Sequence, residues 1–487
     1  MKTFLFYDLE TSGLNPAFDQ ILEFAAIRTD TAFAELSRHH IMVRLRPDVV
    51  PSPRALLTQG RPVEAFLDGT VEIDAVKQIH DLANAPETVS VGYNSLGFDD
   101  AFLRFAFYRN LLPPYSHQYA SGCARMDILP IATVYYLYRP QVLVWPTVTG
   151  KTSLKLEHLN AANALASGRA HNAMVDVEAT VALTRRLAAE TDMWNYLTAS
   201  FSKTIDQDRM DRLPEALSAA SGSHAMGLMI APIFGAEAGF TAPVLSLGAS
   251  IPYKNQSLWL RLDRPEISDT TPESVDTTTW VIRKKAGEPA MLLPPLERYL
   301  KRMAPDRWKL AQDTIAWLKR TPTTFQQIVR YHRHYRYPDV PGVDVDAALY
   351  LNGFPSPRDQ GLCREFHRAK GPERCALVDS FDSAHLRELA GRIIMRNTPE
   401  LLSGALQEEA TLFADRVHPG ASAEAMVDYR GQQRLTPLAA LNEIAALRAD
   451  PEASDLDTAV IDSLERYLRK HFDISPESHV ADRQEAP

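Results

Sequence analysis

Four apolar or aromatic residues, Phe4-Leu5-Phe6-Tyr7, run directly into Asp8-Leu9-Glu10 and the polar turn Thr11-Ser12-Gly13. A short apolar run of this kind predicts a buried strand. Side chains alternate along a strand, so Asp8 and Glu10 share one face while Leu9 takes the other. Apolar runs at 21–29 and 40–45 predict two more strands, and Gly13-Leu14-Asn15-Pro16 has the turn chemistry of a return between the first two. Helical spacing covers 74–84 and 98–108, on either side of a β-branched strand at 88–93. A further helix is expected at 127–137, a loop at 140–150, a short helix at 153–160 and a last helix within 171–188. Strands in a meander, then strands alternating with helices, predict an α/β unit: a mixed sheet with helices packed on its faces.

The pattern changes at about residue 191. Glycine, proline and threonine crowd between short apolar runs such as 226–230 and 257–262, which predicts a small β barrel or sandwich interrupted by helical spacing at 294–319. Beyond residue 340 the periodicity is mainly helical, at 382–396, 399–417 and 456–472. The expected units are therefore 1–190, a β-rich 191–340 and a helical 341–474, with 475–487 as a disordered tail.

Composition narrows the class. The 487 residues are 45% hydrophobic and 23% charged, with no apolar stretch as long as a membrane span, so no membrane association is expected. One lysine and a short apolar run precede Asp8, too little for a secretion signal. Three cysteines, Cys123, Cys363 and Cys375, have no metal-site spacing and fit a reducing compartment, so the expected location is cytoplasmic. A net charge of -9 argues against a generally basic nucleic-acid binder but not against a basic groove.

Acids in the pattern acid-x-acid occur by chance at roughly eight places in a chain of this composition, so Asp8-x-Glu10 means little alone. Its context says more, because acids at the rim of a core are costly unless paired or coordinated to a metal. A second acidic pair, Asp99-Asp100, follows the 88–93 strand and its Asn94 turn, where ligands of open sheets gather. Either acid could instead cap the helix. A third group is His171-Asn172-Ala173-Met174-Val175-Asp176. With Asn172 as the N-cap, Asp176 is fixed on a helix and His171 lies in the loop at its mouth. Oxygen ligands favour magnesium or manganese over zinc. Two such ions activate a water and steady the leaving oxygen in phosphodiester cleavage. An imidazole that titrates near working pH suits the general base.

The order Asp-x-Glu, Asp, His-x4-Asp resembles the DEDD exonuclease superfamily, in its histidine-carrying subgroup. Residues 8–14 match its first motif, Gly92-Tyr93-Asn94 with Phe98-Asp99-Asp100 its second, and 171–176 its third. Residues 23–30, 107–110 and 153–159 bring a narrower likeness, to the bacterial exodeoxyribonuclease I family. Beyond residue 190 that likeness rests on Phe234-Gly235-Ala236, residues 349–354 and overall length.

This resemblance implies a ribonuclease H-like exonuclease domain, then an SH3-like β-rich domain, then a helical domain. It implies processive 3′→5′ digestion of single-stranded DNA to 5′-mononucleotides with two Mg2+ ions, for which Mn2+ could substitute, in DNA repair and recombination. Asp8, Glu10 and Asp176 would hold metal, Asp99 would complete the acidic set, and His171 would be the base; the family pattern, not the spacing, selects Asp99 over Asp100. Glu10 would also face the terminal nucleotide, and residues 11–14 would wall the last base and sugar. Lys155, Arg104, Tyr115, Tyr119 and Lys203 would touch the strand; Lys155 stands where the family has arginine, which keeps the charge and loses the bidentate fork. An implied partner is the acidic C-terminal tail of single-stranded-DNA-binding protein, and the chain would be a monomer. Basic and aromatic residues alternate over 329–337, which suits a solvated helix face, a strand guide or an acidic peptide. The alternatives are a proofreading or RNA-trimming relative, or a non-catalytic single-strand-binding scaffold, which would have no need to keep repelling carboxylates together.

Overall fold

The computed structural model describes residues 1–168, 172–419, 425–450 and 457–474. Strands β1 (Thr3–Thr11), β2 (Ile21–Thr29), β3 (Glu35–Met42), β4 (Thr88–Gly92) and β5 (Ala124–Asp127) form one sheet in the order β3-β2-β1-β4-β5. β1 is antiparallel to β2 and parallel to β4, so the sheet is mixed, as the strand meander followed by helix alternation predicts.

The helices of this unit are α1 (Pro53–Gln59), α2 (Glu72–Ala83), α3 (Asp99–Arg109), α4 (Ile128–Tyr138), α5 (Leu156–Asn163) and α6 (Ala173–Ala188). Period-two alternation along β1 sorts them into two layers. Leu5, Tyr7 and Leu9 pack with α2 and α3. Phe6 packs with α4 and α6 on the opposite face. Asp8 and Glu10 follow Phe6 at the same parity, so they point toward α6, which carries Asp176.

Two differences from the sequence expectations have simple causes. β3 lies about five residues earlier than 40–45, because it is an edge strand whose polar outer face hides the pattern. Residues 191–211 form two helices, α7 (Thr191–Thr198) and α8 (Lys203–Asp211), rather than strands. Trp194 and Leu197 of α7 join the core under the mixed sheet.

A hairpin of β6 (Thr147–Val148) and β7 (Lys151–Thr152) lies in the stretch expected to be loop. The β-rich middle begins at Glu215. Strands β8 (Glu215–Ala219), β9 (Gly222–Ile230), β10 (Thr241–Ala249), β11 (Ser257–Arg261), β12 (Val281–Lys284) and β13 (Met291–Leu293) make a six-stranded antiparallel sheet. Helices Pro305–Arg320 and Pro322–His334 cover it. The C-terminal region is helical as expected, with Ala384–Asn397, Ala405–Val417 and Thr458–His471 close to the predicted spans. The expected tail at 475–487 lies outside the described residues.

A buried ion network ties this last region to the first. Asp48 holds Arg396 and Arg434 at 3.0 Å each, and Arg46 reaches both Asp48 and Glu72. Arg392 binds Asp344 and Asp346 at 2.5 and 2.9 Å, and Arg396 closes the loop onto Asp346. Arg392 and Arg396 are one helical turn apart, so a single helix face presents both guanidinium groups. Removing one partner strands a buried charge, which costs about 3–5 kcal/mol. Asp48→Asn and Arg396→Met are each expected to lower the denaturant midpoint by a shift of that size, whereas truncating the exposed Arg358, paired with Asp382, changes it by less than about 1 kcal/mol.

Candidate active site

The sheet supplies two carboxylates and α6 a third. Oxygens of Asp8, Glu10 and Asp176 lie within 4.8 Å of one another, and all three residues are half-buried. Asn172 caps α6 by accepting a hydrogen bond from the Val175 N–H at 3.2 Å, which sets the helix register and so the position of Asp176. His171, predicted to be the base, lies outside the described residues.

Asp99 is not one of the three converging acids, but its charge reaches Asp8 and Glu10. It opens α3 and is buried, and burial pushes its carboxyl up to about 8. Its neighbour Asp100 has a different task. His117 Nε2 lies 3.1 Å from one of its oxygens, and Arg125 and Arg104 lie 2.7 and 3.1 Å from the other. Burial alone would raise the Asp100 carboxyl, but the His117 hydrogen bond and the two guanidinium charges hold it at about 2. Asp100 is thus a satisfied anchor for two arginines, and Asp99 is the acid left to face the cluster.

The turn that delivers Asp99 is itself fixed. Asp127, at the end of β5, accepts hydrogen bonds from the backbone N–H groups of Asn94, Leu96 and Leu129 at 2.8, 3.1 and 3.0 Å. Asn94 adopts a left-handed conformation with φ 62°, which asparagine tolerates better than most residues. On the other side of the site, Asp19 accepts from the Asn15 N–H at 2.8 Å and the Ser12 hydroxyl at 3.2 Å. Arg109, wholly buried, donates to the carbonyls of Pro16, Ala17 and Asp19. A side chain at Gly13 would come within 2.4 Å of the Asp19 carboxylate, so this tight loop needs glycine there. Leu14 is left 81% exposed at its tip.

Without a cation the trio repels itself. Burial and the charges of Asp99, Asp176 and Glu10 push the Asp8 carboxyl well above its ordinary range. Burial, Glu23, Asp176 and Asp99 push Glu10 up to about 8. Converging oxygen donors that hold protons near neutral pH fit a hard divalent cation, which would replace those protons.

One cavity includes two of these acids, and a second holds the arginines that Asp100 anchors. One, of about 420 Å³, is lined by Asp8, Tyr93, Asn94, Lys155, Asp176 and Pro232. Lys155 pairs with Glu157 at 3.3 Å, and the Tyr93 hydroxyl ties down the preceding residue by donating to the Leu154 carbonyl. The other, of about 660 Å³, runs between the mixed sheet unit and the β-rich unit; Arg104, Tyr115, Arg125, Lys203 and Lys254 line it. Arg104, Tyr115 and Lys203 were expected at the strand, and all three share this groove. Tyr119 is 67% exposed and lines neither cavity. Arg125 was missed because β5 is four residues long with no apolar run to mark it.

Fold and site together define a class, the exonucleases that work with divalent metal ions. A family model described as "Exonuclease" matches residues 5–184, and one described as "Exonuclease I C-terminal domain" matches 343–471. Exodeoxyribonuclease I of Escherichia coli K12 is 30% identical over 437 residues, covering 84% of this chain and 88% of that protein. Exodeoxyribonuclease I of Buchnera aphidicola subsp. Baizongia pistaciae is 38% identical over 182 residues, 37% of this chain and 38% of that protein. The solved structure of E. coli exonuclease I with a dT13 oligonucleotide superposes with a TM-score of 0.81 at 24% identity, over 97% of this chain and 100% of that one. Exonuclease I from Methylocaldum szegediense gives 0.81 at 24%, over 98% and 100%. The chain belongs to the exodeoxyribonuclease I family.

The raised carboxyls carry a pH signature. Glu10 holds its proton in the folded state up to about pH 8 but would release it near pH 4 when unfolded, so stability falls as pH rises through that window. The metal-free protein is expected to lose denaturant midpoint between about pH 5 and 8 and to level off above that. Glu10→Gln should reduce that slope, and a saturating divalent ion should abolish most of it. A slope equal in wild type and Glu10→Gln would place the proton elsewhere.

Proposed function

We propose that the protein digests single-stranded DNA processively from the 3′ end, releasing 5′-mononucleotides, in DNA repair and recombination. The observation that carries this reading is the convergence of Asp8, Glu10 and Asp176 at the end of β1, together with a groove of cationic and aromatic side chains whose Arg104 and Arg125 are anchored by Asp100, the neighbour of Asp99. The E. coli relative with 30% identity across most of both chains is named an exodeoxyribonuclease, and the solved E. coli enzyme carries single-stranded oligonucleotides.

Asp8, Glu10 and Asp176 would hold two Mg2+ ions, with Asp99 completing the acidic set; Mn2+ would substitute. Bound there, the ions supply Lewis-acid activation of the attacking water and stabilise the leaving oxygen. His171 takes the proton of that water. Glu10 and the loop at 11–14 position the terminal nucleotide, and Lys155 faces its phosphate. Arg104, Arg125 and Lys203 offer charge to the upstream phosphates, and Tyr115 a ring for a base, which is how proteins hold single strands without reading sequence. Asp100 keeps Arg104 and Arg125 aimed into the groove. The expected Tyr119 contact requires the strand to run past the groove rim.

We assign 1–190 to the ribonuclease H-like exonuclease domain, the strands that begin at Glu215 within 191–340 to an SH3-like domain and 341–474 to the helical domain. Three units around one strand would make release slower than the next cut, the physical basis of processivity. The chain would act as a cytoplasmic monomer. Its further partner would be the acidic tail of single-stranded-DNA-binding protein; charge complementarity with the run at 329–337 supports such a peptide, where Arg283 stacks on Tyr335 at 4.6 Å. Among the described residues no helix is long and apolar enough to cross a membrane.

End-labelled DNA and RNA strands test this reading. With Mg2+, mononucleotides should leave DNA 3′ ends only, and neither Asp176→Ala nor wild type with EDTA should release them; equal cutting by the mutant would refute the metal assignment. His171→Ala should lose at least about 100-fold in kcat and keep its metal affinity. Lost metal binding there would make His171 a ligand instead. Asp99→Asn and Asp100→Asn should separate the neighbouring acids: the first lowers kcat, while the second raises KM for DNA more than it lowers kcat.

A further inference from the structure

A fifth carboxylate lies beside the cluster and is absent from it. Glu23 on β2 pairs directly with Glu10 across the antiparallel register, so the two side chains share one face of the sheet. Like charges in that position repel. Glu23 is only 1% exposed, yet both of its oxygens are engaged by other groups. Oε1 lies 2.8 Å from His40 Nε2 on β3, and Oε2 accepts from Arg61 Nη1 at 2.7 Å. Glu23 is therefore turned away from the Asp8–Glu10–Asp176 trio and is not one of its converging ligands.

Arg61 is held as firmly as the acid it serves. It follows α1, just after Gly60 ends that helix in a left-handed conformation. Its guanidinium lies 4.9 Å from the centroid of Phe66, and Nη1 lies 3.9 Å from the Met42 sulfur. The preceding Gln59 donates to the Thr11 carbonyl, which ties α1 to the end of β1. The arrangement places a buried negative charge next to Glu10 and, against it, a positive charge that is 34% exposed and so partly screened. The Glu10–Glu23 register and the Glu23–Arg61 contact bring both charges to Glu10.

We propose that Glu23 and Arg61 form a charge-matched positioning pair that sets the divalent-ion affinity of the carboxylate cluster through Glu10. Neither residue touches metal or substrate. Glu23 lends negative potential that draws a divalent ion, and Arg61 limits that potential and holds Glu23 out of the ligand set. The inference rests on the metal site of the proposed function, so its test begins by measuring whether that site binds.

Isothermal titration of Mg2+ into metal-free protein at pH 9, far above the ordinary carboxylate range, keeps proton competition smallest. Glu23→Gln, which leaves Arg61 uncompensated, should weaken Mg2+ binding about tenfold, the size expected of one charge removed near a divalent ion in a partly screened site. Glu23→Gln/Arg61→Met, neutral at both positions, should return to within about threefold of wild type by the same charge argument. Arg61→Met alone should bind Mg2+ more tightly than wild type. An unchanged affinity in Glu23→Gln would overturn the proposal. So would a double variant as weak as the single one, since packing damage would not be repaired by removing a second side chain. Failure of wild type to bind Mg2+, or equal binding by Asp176→Ala, would instead sink the metal site itself.

Discussion

Mutual repulsion among Asp8, Glu10 and Asp176 is the constraint around which this molecule is arranged. Three half-buried carboxylates within 4.8 Å of one another cannot all be ionised without a cation. The scaffold nevertheless leaves them no freedom to separate. Asp8 and Glu10 are locked by strand parity in the middle of a five-stranded sheet, and Asp176 is locked by a capped helix packed on the same face. Protons or a metal relieve that repulsion, and the fold holds the acids where a metal can bridge them.

The neighbouring acids show how selective that arrangement is. Asp100, Asp127, Asp19 and Glu23 are all buried or nearly so, and each is supplied with donors: arginines and a histidine, three backbone N–H groups, a turn, and the His40–Arg61 pair. Asp8, Glu10 and Asp176 instead converge on one another, and burial and the charges of Asp176 and Asp99 push Asp8 and Glu10 upward. The same donors do a second task. Asp100 fixes the two arginines that face the groove, so the acidic centre and the basic groove share one anchor. A chain of net charge -9 can therefore present a cationic path to a polyanion, because the field is set by where the charges are held rather than by their sum.

Much of the first unit was legible in the sequence because its signals are periodic and local. The run into Asp8-x-Glu10, the Asn172 cap and the mixed sheet all follow from alternation, capping chemistry and strand–helix order. What was not legible depends on contacts between distant residues. Spacing could not separate Asp99 from Asp100, since the difference lies in Arg104, Arg125 and His117 converging on one of them. Arg125 sits on a strand too short to show a period. Glu23 reads as one polar residue in an apolar strand, and its role appears only once β1 and β2 pair and Arg61 returns from beyond α1. The edge strand β3 and helices α7 and α8 were misjudged where composition masked periodicity. His171 remains a sequence assignment, because it lies outside the described residues.

The most direct test of the central claim counts protons. Metal-free protein is titrated with Mg2+ or Mn2+ in buffers of different ionisation enthalpy, at pH 7 and again at pH 9.5. If the cluster is a cation cradle that otherwise holds protons, binding at pH 7 releases about one proton or more per protein, and the release shrinks sharply at pH 9.5. Tight binding with no proton release at pH 7, or release that survives in a Glu10→Gln/Asp8→Asn variant, would contradict it.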